Sequence, residues 1–227
     1  MNIPTLLLLE SSAETCSVAL VRNNKVVASK KIVEPNSHSK YLSVLVEEMV
    51  RESEIEFNQI NAVVVSAGPG SYTGLRIGAS LAKGICFGLA IPLISASTLK
   101  AIAYAAQSDG TNYYLATVDA RRDDAYIALF NQDFEVVIEE KFATIDQELI
   151  TELSAYQGIK IVGNASQKFS KYIKDLSAEI VEGVTVLAEH LLPESLEKLM
   201  NQNFEDLTYF EPNYIKAVHV SKPKTKI

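Results

Sequence analysis

The most specific pattern in this chain is the stretch SAGPGSYTGLRIG, residues 66–78. It follows the apolar run 62–65, which is typical of a buried strand, and it opens a long segment of helical composition. A glycine-rich turn between a strand and a helix can hold a phosphate, because free backbone N–H groups point outward there. The glycine spacing, however, fits neither the P-loop nor the dinucleotide-binding fingerprint. We therefore expect a structured strand-to-helix turn outside the common nucleotide motifs.

Around this stretch, the first half of the chain predicts one compact α/β unit that ends near residue 107. Its elements follow the order strand, strand, strand, helix, strand, helix, strand, helix, and the dipeptide Asn23-Asn24 is typical of a tight hairpin turn. Ser37 or Ser39 is expected to cap the first helix. The predicted strands are 3–10, 15–21, 25–33, 62–66 and 91–94, and the predicted helices end near residues 53, 88 and 106.

The second half repeats this order in a shorter form. Strands are predicted at 113–118, 125–130, 135–141 and 159–162, and helices at 146–155 and 187–201, with little pattern between 175 and 186. A repeated β-β-β-α-β-α unit is typical of the duplicated, ribonuclease-H-like α/β fold of actin, Hsp70 and sugar kinases (ASKHA). We therefore predict this fold with a truncated second lobe. The predicted domains are 1–107 and 108–227, the latter with a C-terminal tail.

The composition favours a protein that stays in the cytoplasm. A net charge of -7 over 227 residues argues against a broad basic surface for nucleic acid on this chain. Cys16 and Cys86 are too few for a disulfide framework or a zinc site and are expected in the core. No signal segment opens the chain, and no run approaches the ~18 apolar residues of a membrane span.

The first strand ends in Glu10-Ser11-Ser12, which are candidates for a nucleotide loop. In a fold of this class that turn faces the phosphates of the nucleotide, and a carboxylate there would hold magnesium through oxygen ligands. The alternative is a turn whose serines hydrogen-bond locally. Asp119 ends its own strand and is expected to be the counterpart of Glu10 in the second lobe. An ATPase or kinase that uses these two carboxylates is the enzyme hypothesis.

No metal site and no catalytic constellation are predicted. His38 opens a helix, but a helical metal pair would need a second histidine one turn later, where Leu42 lies. We interpret His38 as a lone surface or helix-cap histidine. The charged run 121–124 is expected to be a solvated turn, with contact to a partner or an anionic ligand as the alternative.

The helix that follows the glycine turn is predicted to be an assembly surface. It is apolar over more than half of its circumference, so other structural elements must pack against two of its faces. A glycine inside a helix costs about 1 kcal/mol relative to alanine, which close approach of another helix would offset. The residues expected at the interface with a partner are Gly74, Leu75, Gly78, Ala79, Leu81, Ala82 and Ile85. Packing within the chain is the alternative, and it is tested by Gly78→Arg or Ala82→Arg, which should abolish self-association of a folded monomer.

The stretch 67–78, followed by Ala82-Lys83-Gly84, resembles the signature Gly-Pro-Gly-Ser-(Phe/Tyr)-Thr-Gly-Leu-Arg-(Ile/Val)-Gly of the TsaB (YeaZ) family. The resemblance covers residues 3–106 well and the second half loosely. Further matching positions are 16–20, His38-Ser39, Ile91-Pro92, 97–99 and Tyr214-Ile215-Lys216, which is similar to the family's terminal Tyr-Leu-Arg.

The resemblance implies a non-catalytic subunit that is required for threonylcarbamoyladenosine formation on tRNA. Such a subunit would dimerise with the catalytic subunit TsaD, form a homodimer when alone, work with the ATPase TsaE, and meet tRNA only through the complex. It implies no tightly bound cofactor and no metal, with ATP or ADP at most at a subunit junction. The family usually has Asp-Thr-Ser where this chain has Glu10-Ser11-Ser12. This departure makes the three residues vestigial nucleotide-loop candidates.

Overall fold

The computed structural model describes residues 4–34 and 38–214, which form two lobes, each built on a five-stranded sheet. In the first sheet the strand order is β3-β2-β1-β4-β5, with β1–β3 antiparallel and β1, β4 and β5 parallel. The strands are β1 (Thr5–Glu10), β2 (Thr15–Arg22), β3 (Lys25–Val33), β4 (Ala62–Gly68) and β5 (Leu93–Ser97). The helices are α1 (His38–Glu52), α2 (Tyr72–Leu89) and α3 (Thr98–Ala105), with a 3₁₀ turn at Phe57–Gln59.

The second sheet repeats this order as β8-β7-β6-β9-β10, which confirms the predicted duplication and the actin-like fold. Its strands are β6 (Tyr113–Asp119), β7 (Asp124–Asn131), β8 (Val136–Thr144), β9 (Gln157–Gly163) and β10 (Ser177–Ile180). They are joined by α4 (Gln147–Leu153) and a 3₁₀ helix (Ser166–Asp175), and a 3₁₀ turn (Ala188–Leu191) and α5 (Leu192–Met200) follow.

The second lobe is the smaller one, as predicted. The 7-residue α4 replaces the 15-residue α1, and a 3₁₀ helix stands where the first lobe has the 18-residue α2. One strand was not predicted from the sequence. β10 lies in the stretch interpreted as having little regular pattern, because a half-buried edge strand of four residues shows too little alternation to be recognised.

The local sequence explains the hairpin that opens the fold. The leucines of β1 are all buried, with Leu6 and Leu8 on one face and Leu7 and Leu9 on the other. Asn23 and Asn24 both have φ near +57°, at 56° and 58°, which two-residue turns between antiparallel strands require. β1 is therefore covered on both faces, which makes it the central strand of the lobe.

The two lobes share one hydrophobic core, and α3 lies at its centre. α3 packs against β4 and β5 of the first sheet and against β6 and β7 of the second. Leu99 and Ala103 on this helix are fully buried. The core also contains Leu6 and Leu8 of β1 and Tyr114 of β6. The lobes are thus joined by burial of apolar surface rather than by a linker alone.

The residues after α5 return to the first lobe. The amide of Glu205 donates to the carbonyl of Leu93 at 2.9 Å, so this segment caps the open edge of β5. Phe210 joins the core between the first sheet and its helices, and the Lys83 ammonium of α2 donates to the Phe210 carbonyl at 3.1 Å. α5 and the described segment after it thus pack on the first lobe, although they belong to the predicted second domain, 108–227. The periodicity of a sequence does not indicate which sheet a helix such as α5 packs against.

Among the described residues, no helix combines the length and the apolarity that crossing a membrane requires.

Candidate functional site: the cleft between the lobes and the outer face of α2

A cleft of about 840 Å³ lies between the lobes. The turn after β1, residues 12–14, forms one wall, and the turn between β6 and β7 forms the opposite wall. The first residues of α1 and α2 complete it, with His38 from α1 and Tyr72 and Thr73 from α2. The glycine stretch therefore borders the cleft, as its place between a strand and a helix N-terminus suggested.

The Glu10 carboxylate does not reach this cleft. Glu10 is fully buried, and its Oε1 accepts hydrogen bonds from the Ser12 amide at 2.6 Å and the Ser12 hydroxyl at 2.5 Å. Burial raises the pKa of Glu10, although the bonds from Ser12 oppose the shift. Of the three nucleotide-loop candidates only Ser12 lines the cleft. The bonds to Ser12 are those of a locally bonded turn, and the structure does not bring the Glu10 carboxylate to the cleft where a magnesium ligand was predicted.

Asp119, the predicted counterpart of Glu10, does line the cleft but is held by its own lobe. Its Oδ1 accepts from the Arg121 amide at 2.5 Å and lies 3.0 Å from the Lys168 ammonium. Partial burial works against ionisation, but these two partners outweigh it and hold the pKa of Asp119 below its usual value. Lys168 was not singled out in the sequence, since a lysine on a surface helix gives no signal of a distant partner.

The turn between β6 and β7 carries an unusual pair of arginines. Arg121 and Arg122 have φ angles of +73° and +50°, a left-handed conformation that side chains other than glycine and asparagine adopt rarely. Arg121 lines the cleft, while Arg122 is exposed. The charged run is therefore a solvated turn, as expected, but one of its arginines faces the cleft.

His38 is more buried than its interpretation as a helix cap suggests. It begins α1 and lines the cleft, yet only 8% of its surface is exposed. Its Nε2 is buried and has no hydrogen-bond partner among the described residues. Within the same part of the chain, no group of three or more His, Cys, Asp or Glu side chains could hold a metal ion. The expected capping residue Ser37 lies outside the described residues.

The glycines at the start of α2 contact their own chain. A Cβ at Gly74 would lie 2.0 Å from the Ser11 carbonyl oxygen, and one at Gly78 would lie 2.2 Å from the Ser11 hydroxyl. These glycines therefore let the turn after β1 approach the helix. Leu75, Ala79 and Ala82 are also buried in the monomer. Arginine at Gly78 or Ala82 would disrupt the fold itself, which corrects the expectation that it leaves the monomer folded.

Another face of α2 is open. Two of the predicted interface residues, Leu81 and Ile85, are half-exposed on it, beside Ile77. Next to them Ser80, Gly84 and Gly88 follow one another at intervals of four residues, all exposed, and a Cβ at either glycine would have no neighbour within 4 Å. Small residues at this spacing leave a groove along the helix. The sequence alone does not reveal this stripe, because a helical wheel does not show which glycines other parts of the chain cover.

The C-terminal segment is anchored beside this face. Arg76 donates to the Tyr214 hydroxyl at 3.2 Å, and its guanidinium carbon lies 4.0 Å from the centre of the Tyr72 ring. The two tyrosine rings are 5.1 Å apart. Tyr214 is the first residue of the predicted Tyr-Ile-Lys motif, whose other two residues lie outside the described part of the chain. Tyr214 therefore contacts the glycine signature through the side chains of Arg76 and Tyr72.

Comparisons with known proteins agree with this architecture. Residues 26–193 match the model of the family described as TsaD, tRNA N6-adenosine threonylcarbamoyltransferase. The Escherichia coli protein named tRNA threonylcarbamoyladenosine biosynthesis protein TsaB is 29% identical over 93% of this chain and 94% of its own length. The chain belongs to the TsaB (YeaZ) family. A Haemophilus influenzae protein of the same name is 35% identical over 60% of this chain and 55% of its own length.

A solved TsaB-family structure shares the fold. YeaZ from Pseudomonas aeruginosa superposes with a TM-score of 0.79 at 25% identity and covers 93% of this chain and 99% of its own. The TsaB-type signature can now be read in physical terms. A Cβ at Gly70 would lie 2.5 Å from the Ser12 carbonyl oxygen, so this glycine, together with Gly74 and Gly78, fastens the turn after β1 to α2. The signature positions one wall of the cleft.

Proposed function

We propose that this protein is a non-catalytic subunit for threonylcarbamoyladenosine formation on tRNA, which dimerises with a TsaD-type catalytic subunit and activates it. A TsaE-type ATPase acts on the assembled pair, and tRNA is contacted only through the complex. The chain forms a homodimer when alone and carries no tightly bound cofactor, with ATP or ADP at most at a subunit junction. The observation that carries this proposal is the open face of α2, the helix encoded by the family signature.

That face has the properties of a helix-packing surface. Ile77 and Leu81 supply apolar area, while Ser80, Gly84 and Gly88 let a partner backbone come close. A folded monomer gains nothing from exposed glycines in an 18-residue helix, since each costs about 1 kcal/mol relative to alanine. Close packing against a second helix would offset that cost. The partner interface that the sequence first suggested at Gly74 and Gly78 is therefore proposed for this open face instead.

The family match supports a TsaD-type partner. Because residues 26–193 match the model of the transferase family itself, a TsaD-type subunit has an equivalent first lobe and an equivalent helix. Two related folds can then pack around a pseudo-twofold axis through matching faces. A homodimer of this chain would use the same geometry with two copies of α2.

The engagement of the two candidate carboxylates supports a non-catalytic role. Glu10 is turned into the protein, and Asp119 is paired with Lys168. An ATPase or kinase that acts in this cleft would need at least one of these carboxylates as a magnesium ligand. The positions of these two described carboxylates therefore support the first hypothesis rather than this one.

The decisive test is an interface variant in the complete modification reaction. Gly84→Arg places a long cation in the open groove and leaves the monomer folded, because nothing lies near that position. We expect it to abolish co-purification with TsaD and to lower tRNA modification in the presence of TsaE at least about tenfold. Light scattering should also show a monomer.

The matched control is Thr151→Arg, an equal change in charge on the exposed face of α4 in the second lobe. It should leave binding and modification unchanged. Normal co-purification of Gly84→Arg with TsaD, or full modification in the absence of this chain, would overturn the proposal.

A further inference from the structure

We propose that Glu140 of β8, Ser97 and Glu194 of α5 form a pH-sensitive latch between the lobes. The latch is closed while one of the two carboxyl groups at Ser97 carries a proton, and it weakens when both are ionised. This goes beyond the role as an activating subunit, because it concerns the contact between the two lobes of the isolated chain.

Ser97 is the residue at which the latch connects the lobes. It ends β5 and caps α3, where its hydroxyl oxygen accepts from the Lys100 amide at 3.0 Å. The same hydroxyl donates to Oε1 of Glu140, on the edge strand of the second sheet. The Ser97 amide donates to Oε2 of Glu194 at 2.9 Å. One serine of the first lobe therefore binds a carboxyl group from β8 and another from α5.

The hydrogen bonds continue from Glu194 along the first lobe. Its Oε1 lies 3.0 Å from the Lys198 ammonium, which donates to the Ser95 carbonyl at 2.9 Å. The Ser95 hydroxyl in turn donates to Oε1 of Glu205 at 2.5 Å. Within the described residues, this series of bonds joins three carboxyl groups to one ammonium group. Full ionisation would leave an excess of negative charge, which a single proton reduces.

The charged groups next to the latch are engaged elsewhere. Lys100 of α3 lies 3.7 Å from Glu197, and Lys141, the residue after Glu140 on β8, lies 2.7 Å from Glu152 of α4. Tyr104 of α3 is neutral at physiological pH, since burial above all, with nearby carboxylates, raises its pKa to about 12. The balance of charge at Ser97 is therefore set mainly by the two carboxyl groups and Lys198.

Glu140 is the group that we expect to hold the proton. Burial raises the pKa of Glu140, and the hydrogen bond from Ser97 only partly offsets this shift. The charges of Glu194 and Glu139 raise it further, against the opposing charge of Lys198. The stabilisation of the latch is thus complete below the pKa of an exposed glutamate, about 4.3, and is lost as pH rises through the raised pKa.

The first test follows the side-chain carboxyl ¹³C signal of Glu140 in the full chain, assigned by its loss in Glu140→Gln. We expect it to titrate at higher pH than the signal of Glu139. Glu194→Gln removes a negative charge but keeps an oxygen for the Ser97 amide, so the Glu140 midpoint should fall. Lys198→Met removes the positive charge, so the midpoint should rise. A purely structural role would not produce opposite shifts.

The second test asks whether this proton holds the lobes together, by hydrogen exchange followed with mass spectrometry. Glu140→Gln keeps an acceptor for Ser97 and never ionises. At pH 8 it should slow exchange at least about threefold relative to wild type in β8 and in the first turn of α3. Near pH 4 the two proteins should agree. Glu10 is the same in both, so its own titration cancels in the comparison.

Glu139→Gln is the matched control, because it makes the same change in charge at the preceding, exposed residue of β8. It should change exchange less than about twofold at either pH, since successive side chains of a strand point to opposite faces. A Glu140 signal that titrates together with that of Glu139 would overturn the proposal. Equal effects of the two variants on exchange would also overturn it, and either result would leave the subunit role untouched.

Discussion

Ser11 explains why glycines recur at the start of α2. Its carbonyl oxygen and hydroxyl occupy the space where Gly74 and Gly78 would carry side chains, and the hydroxyl also donates to the Gly74 carbonyl at 2.9 Å. The pair Glu10 and Ser12 then closes the same turn through two hydrogen bonds. Three neighbouring residues that the sequence suggested for nucleotide binding are thus used to fix the turn to the helix.

Glu10 gives a prediction on pH. Because burial raises its pKa, the folded chain retains a proton that the unfolded chain has already released. The stabilisation is therefore complete below the pKa of the unfolded chain and is lost as pH rises through the raised value. Glu10→Gln keeps an oxygen for Ser12 and never ionises. Its melting temperature should match the wild type near pH 4 and exceed it by at least about 2 °C at pH 8.

The measurement is thermal unfolding across this pH range. Glu14→Gln in the same turn is the control, since Glu14 is exposed and its substitution should give no such trend. A gap between Glu10→Gln and wild type that stays constant from pH 4 to pH 8 would refute the assignment.

At the scale of the element, α2 has two glycine-bearing faces with opposite roles. The face with Gly74 and Gly78 is closed by the turn after β1, and the face with Gly84 and Gly88 is open. The helix is capped by the Ser71 hydroxyl at its start and by Ala90, whose φ is +54°, after its last residue. The signature therefore determines both how α2 packs against the turn after β1 and which face of α2 stays open.

Alanine substitutions distinguish the two faces. Gly78→Ala forces a methyl group against Ser11 and should destabilise the fold by about 1–3 kcal/mol. Gly84→Ala meets no neighbour and should stabilise the monomer by about 0.5–1 kcal/mol through helix propensity. Urea unfolding of the two variants measures both effects. Equal effects would mean that the faces are not distinct.

At the scale of the whole molecule, one hydrophobic core joins the two lobes. The shared core surrounds α3 and draws residues from both sheets, while the second lobe has a further core of its own that includes Leu153. The chain after α5 adds a second connection, because it packs across the edge of the first sheet. The cleft is therefore set between walls whose spacing the shared core fixes.

Leu99→Ala tests this coupling. Leu99 is fully buried in the shared core, so its truncation should cost about 2–5 kcal/mol. Hydrogen exchange followed by mass spectrometry should then show faster exchange in the central strands of both sheets. Leu153→Ala, in the core of the second lobe, should act mainly on that lobe. Faster exchange in a single sheet for Leu99→Ala would refute the shared core.

The order of strands and helices in the first lobe followed from the sequence alone. Its periodic patterns predicted β3 and the Asn23-Asn24 turn correctly, and the signature identified the family. Patterns of this kind are local, since each reports whether a segment of five to eighteen residues has an apolar face. The same patterns gave β10 no signal and left the packing of α5 unassigned.

Only the tertiary structure decided which residues of a recognised segment face which neighbour. The helical wheel showed that α2 was apolar on two sides, but Ser11, more than 60 positions away, settled that Gly74 and Gly78 are covered and Gly84 is not. In the same way Lys168 pairs with Asp119, and folding buries the His38 Nε2, which has no hydrogen-bond partner among the described residues. Local periodicity determines that a face must be covered, whereas long-range packing determines what covers it.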